Sequence, residues 1–331
     1  MNLSKFPRRR YTAGITPIEK LERLSETLGG PDVYIKRDDL LGLAAGGNKT
    51  RKLEFLMADA LAKGADTIIT CGAVQSNHCR LTLAASVKEN LKCHLVLEQR
   101  VPGSYDRRAS GNNFLYNLMD AENVRVVDGG SNMMGEMTSL ADELKAQGRK
   151  PYIIPGGGSN EIGALGYVSC AKELMWQLHD MGLDIDYIVC TSGSAGTHAG
   201  LVTGLMGENA GIPVIGISIS RKAEPQRELV YNLCRKTSDL LGLKIPPSMD
   251  DVIVFDEYVG PGYSRPTEGM VSAVRLLATT EAVLLDPVYT GKTMDGLMDL
   301  VRKNYFAEAR NILFLHTGGS PALYAYMNDF V

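Results

Sequence analysis

The segment Gly46-Gly47-Asn48-Lys49-Thr50-Arg51-Lys52 places a lysine where a strand region gives way to a helix. Glycines there let the backbone approach a ligand closely. The positive end of a helix disfavours an ammonium and so lowers the lysine pKa, which covalent chemistry on a carbonyl requires. The same lysine, beside Arg51 and Lys52, also suits an ordinary basic helix start at the surface. A second loop, Ser192-Gly193-Ser194-Ala195-Gly196-Thr197, follows the apolar run Tyr187–Thr191. Its small residues open backbone N–H groups at a helix N-terminus, and Ser194 and Thr197 add hydroxyls. That is a cradle for phosphate, or simply a tight strand-to-helix turn. A dinucleotide fits poorly, because Ala195 and His198 stand where the Rossmann fingerprint has its second and third glycines. The Walker sequence fails as well: Gly291-Lys292-Thr293 lacks the upstream glycine.

Three further loops offer polar or aromatic side chains. In Gly72-Ala73-Val74-Gln75-Ser76-Asn77-His78 the N–H groups of a helix start suit a carboxylate, and Ser76 or Asn77 equally suits a helix cap. Tyr289, in Leu285 to Lys292, suits stacking on a flat ring or packing at an interface. Thr317, before Gly318-Gly319, suits a hydrogen bond to a heteroaromatic nitrogen or a strand cap. His94 and His179 stand alone, so no metal is expected. The absence of G-x-S-x-G speaks against a serine hydrolase.

These loops need a scaffold that brings them together. Short β-branched runs (33–36, 67–71, 94–98, 152–155, 187–191, 214–218, 252–255 and 312–316) alternate with amphipathic stretches (51–62, 134–147, 164–181, 199–207, 226–240, 268–281 and 293–303). Such alternation predicts right-handed crossovers and a mostly parallel sheet, with ligands outside the carboxyl ends of the strands. The chain's 331 residues suffice for two domains, and Gly156-Gly157-Gly158 marks a change of domain. A net charge of −3 points away from nucleic acid. No apolar run approaches the roughly 18 residues of a membrane span, and Met1 to Arg10 is no signal peptide. The six scattered cysteines read as free thiols. A cytoplasmic protein is expected.

Taken in order, Ile35-Lys36-Arg37-Asp38-Asp39, Gly46-Gly47-Asn48-Lys49, Gln75-Ser76-Asn77-His78, Gly193-Ser194-Ala195-Gly196-Thr197 and Asp286-Pro287-Val288-Tyr289 resemble the fold-type-II pyridoxal 5′-phosphate (PLP) enzymes. The chain is similar over nearly its whole length to the group containing D-cysteine desulfhydrase, L-cysteate sulfo-lyase and 1-aminocyclopropane-1-carboxylate (ACC) deaminase. The resemblance implies an α/β fold like the tryptophan synthase β chain, with two doubly wound domains. Residues 1–47 and 157–331 would form the large PLP-binding domain and 48–156 the small one. It implies that Lys49 carries the cofactor and acts as base at Cα. Asn77 would contact the 3′-oxygen, Gly193, Ser194, Ala195, Gly196 and Thr197 the phosphate, Tyr289 the ring and Thr317 the pyridine nitrogen. Ser76, Asn77, His78, Tyr263 and Thr290 would meet a small amino-acid substrate, with Ser76, Tyr263 and Tyr289 in catalytic roles. A homodimer is implied as well.

A threonine at the pyridine nitrogen makes the cofactor a weaker electron sink than an aspartate would, which suits elimination at Cβ better than transamination. ACC deaminases have glutamate where Thr290 stands, so the resemblance favours the carbon–sulfur lyases. Leu28 to Pro31, Pro155 to Asn160, Gly182 to Asp186 and Val230 to Leu233 look closer to L-cysteate sulfo-lyase, though none is evidently in the site. Arg265, where related patterns have an apolar residue, is a candidate partner for a sulfonate. His198 and Thr290-Gly291-Lys292 look more like the desulfhydrases. The expectation is therefore sulfite release from L-cysteate, with sulfide release from D-cysteine as the alternative. A non-catalytic PLP carrier and an NADP oxidoreductase are the rivals from other classes.

Overall fold

A computed structural model describes residues Met1–Val331. Ten strands are present: β1 Ile18–Lys20, β2 Asp32–Arg37, β3 Thr67–Ala73, β4 Lys92–Gln99, β5 Asn123–Asp128, β6 Pro151–Ile154, β7 Tyr187–Ser192, β8 Val214–Ser218, β9 Ile253–Phe255 and β10 Asn311–His316. They form a six-stranded sheet ordered β1-β2-β10-β7-β8-β9 and a four-stranded sheet ordered β5-β4-β3-β6. Only the β1–β2 pairing is antiparallel; every other pair is parallel. Helices cover both faces, so central strands are buried on both sides and read as continuous apolar runs. Val189, Ile215 and Phe314 thus pack on one face of the large sheet while Cys190, Val214 and Leu313 pack on the other.

Eight strand regions read from the sequence are present with ends shifted by at most two residues. The two not expected have physical excuses. β1 has three residues, and β5 is a half-exposed edge strand without alternation. The helix Asn77–Lys88 also escaped periodicity, because ten of its twelve residues, among them Leu81, Thr82 and Arg80, are buried; a helix enclosed on all sides has no polar stripe. No helix is long and apolar enough to cross a membrane.

The helix that begins at Lys49 (Lys49–Ala62) is held against the helix Glu161–Met181. Gly166 makes this approach possible: a Cβ there would lie 2.4 Å from the carbonyl of Arg51. A buried ionic network locks the same turn. Arg51 pairs with Asp38 at 2.8 Å and with Glu173 at 2.7 Å, and Lys36 pairs with Glu173 at 2.6 Å. Tyr167 donates to Asp38 at 2.6 Å. One strand and two helices thereby fix where Lys49 can stand.

Candidate active site

The carboxyl ends of β3, β7 and β10 border a cavity of about 480 Å³. Its wall carries Lys49, Asn77, His78, Gly193, Ser194, Ala195, Thr197, Tyr289 and Thr317, nine residues drawn from all five loops. It opens into an outer chamber of about 1060 Å³ that shares Lys49, His78 and Tyr289 and adds Ser76 and Tyr263.

Lys49 is the first residue of its helix, and its Nζ donates to Asn48 Oδ1 at 3.0 Å. Its pKa is lowered to about 8, first by withdrawal from water, with the Arg80 cation adding to the lowering and Asp286 opposing it. Burial thus dominates where the sequence pointed to the helix terminus. Asn48 in turn donates to Thr197 Oγ1 at 2.8 Å.

The second loop turns from β7 into the helix Gly196–Gly207. Ala195 caps that helix with φ +74°, a left-handed backbone that costs a non-glycine residue roughly 1–2 kcal/mol. Ala195 stands in the cavity wall, the kind of place where such strain is held by its surroundings. Ser159 Oγ donates to Ser194 Oγ at 2.8 Å and accepts from Gly196 N at 3.2 Å. Lys52 donates to the Gly157 carbonyl at 3.1 Å and to Ser159 Oγ at 3.3 Å. This lysine is fully buried with no carboxylate partner, and burial next to Lys49 drives its pKa well below the ordinary value. Gly157 has φ +71°, and a Cβ there would meet Ser194 Oγ at 2.1 Å.

The other loops are equally specific. Ser76 caps the helix Asn77–Lys88 by accepting from Cys79 N at 3.1 Å, and it also lines the outer chamber. Thr70 donates its one proton to the Ile154 carbonyl at 2.9 Å, so the 2.8 Å contact with His78 has Nε2 as donor. His78 Nδ1 is left as a buried lone pair without a partner. Burial and the two lysines hold the pKa of this imidazole well below the ordinary value, so the ring is neutral. The hydroxyls of Tyr263 and Tyr289 are hydrogen-bonded to each other, with ring centroids 5.8 Å apart at 75°. Burial raises both phenol pKa values, so both keep their protons at neutral pH.

Two expectations need correction. Thr290 reaches neither the cavity nor the chamber. It is fully buried, and its hydroxyl donates to Asp286 Oδ1 and accepts from Asp286 N, both at 2.8 Å. An Asp-x-x-x-Thr turn uses that side chain up. Arg265 is exposed and lines neither space; the cation over Tyr263 is Arg100, with Cζ 4.1 Å from the ring centroid. Gly196 lies one step behind the wall, at the helix start. Asn48, Lys52, Arg80 and Ser159 had not been singled out. Lys52 carried a signal, since it lies three residues past Lys49 on the same helical face. Pro155 to Asn160 had signalled kinship alone, yet it supplies Gly157 and Ser159.

The donors suit PLP. A buried lysine without a carboxylate partner stands beside Gly196 at a helix N-terminus, Lys49 with its lowered pKa stands in the cavity, and a tyrosine forms part of the wall. The comparisons agree. Residues 10–318 match the family described as pyridoxal-phosphate dependent enzyme. The chain is 47% identical to a D-cysteine desulfhydrase of Yersinia enterocolitica over 326 residues, covering 98% of this chain and 97% of that one. It is 45% identical to one of Klebsiella pneumoniae, covering 98% of each. A crystal structure of an ACC deaminase homologue superposes with a TM-score of 0.91 at 41% identity, over 99% of this chain and 96% of that one. A PLP-dependent aspartate racemase, at 17% identity and TM-score 0.65 over 92% of this chain and 90% of that one, shares the fold. The chain belongs to the pyridoxal-phosphate dependent enzymes, with the fold-type-II architecture.

Proposed function

We propose that this enzyme is a carbon–sulfur lyase that converts D-cysteine and water into pyruvate, ammonia and sulfide. The observation that carries the reading is the meeting, in the outer chamber, of a lysine with pKa near 8 and a hydrogen-bonded pair of protonated tyrosines. The extended similarity to D-cysteine desulfhydrases supports the substrate and reverses the order expected from sequence, where L-cysteate stood first.

Bound PLP supplies an electron sink that makes bonds at Cα and Cβ breakable. The chain's own residues supply the rest. Gly193 to Thr197, with Lys52 behind them, would hold the phosphate at the helix N-terminus. Asn77, Thr317 and Tyr289 would hold the ring. Ser76, Asn77 and His78 face the substrate. Lys49, once its amine is free, takes the proton from Cα. Tyr289, relayed by Tyr263, holds a proton for the departing sulfur. Residues 1–47 with 157–331 act as the cofactor-binding domain and 48–156 as the smaller one, and the enzyme works as a cytoplasmic homodimer.

A second reading, sulfite release from L-cysteate, is favoured by two arginines. Arg100 and Arg221 both line the outer chamber, and guanidinium suits a multi-oxygen anion. Purified enzyme given each amino acid decides between them. Pyruvate and sulfide from D-cysteine are expected; pyruvate from L-cysteate alone would establish the second reading in place of the first.

A further inference from the structure

Arg80 is a fully buried arginine with no carboxylate to neutralise it. Its Nη1 donates to Asn77 Oδ1 at 3.0 Å and to Asn112 Oδ1 at 2.8 Å, and its Nη2 donates to the Gly46 carbonyl at 2.7 Å. Its Nε has no partner. All three acceptors are neutral. Buried charges are ordinarily paired, because desolvation costs several kcal/mol per ion, so a cation kept this way implies that an anion arrives from elsewhere.

The contacts show where. Asn77 Oδ1 also accepts from Asn112 Nδ2 at 2.9 Å. With two donors converging on the oxygen, the orientation of the Asn77 amide is determined: its N–H₂ turns the other way. That nitrogen lies beside Gly319, 2.8 Å from where a Cβ would stand, on the cavity wall next to Thr317 and Gly318. Asn112 is itself fixed, its Nδ2 donating to the Gln75 carbonyl at 2.9 Å and its backbone N–H donating to Gln75 Oε1 at 2.8 Å.

We infer that Arg80 is a positioning residue: with Asn112 it aims the N–H₂ of Asn77 into the cavity, and its uncompensated charge makes that spot select an anionic oxygen on the cofactor ring. The inference rests on PLP binding at Lys49. Other groups share the field: Lys49, Lys52 and His78, with Asp286, Tyr289 and Tyr116. Asp286 is already committed to the N–H groups of Val288, Tyr289 and Thr290 at 2.8–3.0 Å, so it does not serve as Arg80's partner. Arg80 also lowers the pKa of Lys49, the effect expected of a nearby cation on any protonated group.

The test is a pH titration of the visible absorbance of the holoenzyme. Removing a cation must raise the pH at which the bound chromophore loses its proton. Arg80→Met is expected to raise the midpoint by about one unit, and Arg80→Lys, which keeps the charge, to restore most of the wild-type value. Asn112→Asp keeps the size of the side chain but sets a carboxylate against the guanidinium, and it is expected to shift the midpoint the same way. It decides the matter if Arg80→Met does not fold. A folded Arg80→Met or Asn112→Asp protein with the wild-type midpoint overturns the inference and leaves the function intact. A wild-type protein without the absorbance overturns both.

Discussion

A lysine with a pKa of 10.5 is about three parts in ten thousand free amine at pH 7, and one with a pKa of 8 is about a tenth. Desolvation of Lys49 therefore raises its reactive fraction by roughly two orders of magnitude before any substrate arrives. Capture of PLP by apoenzyme is accordingly expected to speed up with pH and level off above a midpoint near 8, as followed by stopped-flow absorbance. Lys49→Ala protein is expected to carry no cofactor mass after borohydride reduction and digestion, whereas wild type carries it on the Lys49 peptide; a label on another residue would refute the assignment. The flanking motif made this lysine visible in the sequence. Nothing local could show that its neighbour Lys52 is a second buried lysine, because burial is a property of what packs around it.

At the scale of elements, the site depends on where the Lys49 helix is anchored. Lys36, Asp38, Arg51 and Glu173 come from separate parts of the chain and together neutralise one another largely out of water. Removing one partner leaves an uncompensated charge, so Asp38→Ala is expected to lose about 3–5 kcal/mol in denaturant unfolding. Glu173 is held at a pKa of about 2, against 4.5 ordinarily, its bonds to Arg51 and Lys36 outweighing burial. A depressed carboxylate contributes stability that is fully present above pH 4.5 and is lost as pH falls toward 2. Thermal melts are expected to show this decline, and Glu173→Gln to flatten it. Gly157→Ala meets a disallowed backbone and Ser194 together; faster loss of cofactor on dialysis is the expected outcome. The strands and amphipathic helices that frame these residues were legible from periodicity. The helix Asn77–Lys88 and the edge strand β5 were not, since the first is buried all round and the second is too exposed to alternate.

Across the whole molecule, the chamber outside the cavity is built from both sheets. β4 delivers Glu98 and is followed by Arg100, which pairs with Glu98 at 2.5 Å and lies over Tyr263, a residue far along the chain. A substrate in this chamber would therefore meet residues from both sheets. Arg100→Met is expected to lower turnover of L-cysteate about tenfold relative to D-cysteine, the size of one charge-assisted contact; equal losses on both would remove Arg100 from substrate selection.

The sequence by itself determined the parallel α/β plan, through the period of apolar side chains, and its ordered motifs carried the resemblance that implies PLP. It offered Lys49 and the loop Gly193 to Thr197 as candidates, because glycines where backbone must approach, a lysine at a helix start and small residues before a helix are short-range signals. Tertiary structure alone decided which charges lack partners and which side chains are already engaged. Thr290 and Arg265 looked available in the sequence, but the fold commits one to Asp286 and leaves the other in solvent, while it sets Lys52, Arg80 and Arg100 at the site. Charge pairing and desolvation are sums over neighbours brought together from distant parts of the chain, and no local stretch of residues carries that sum.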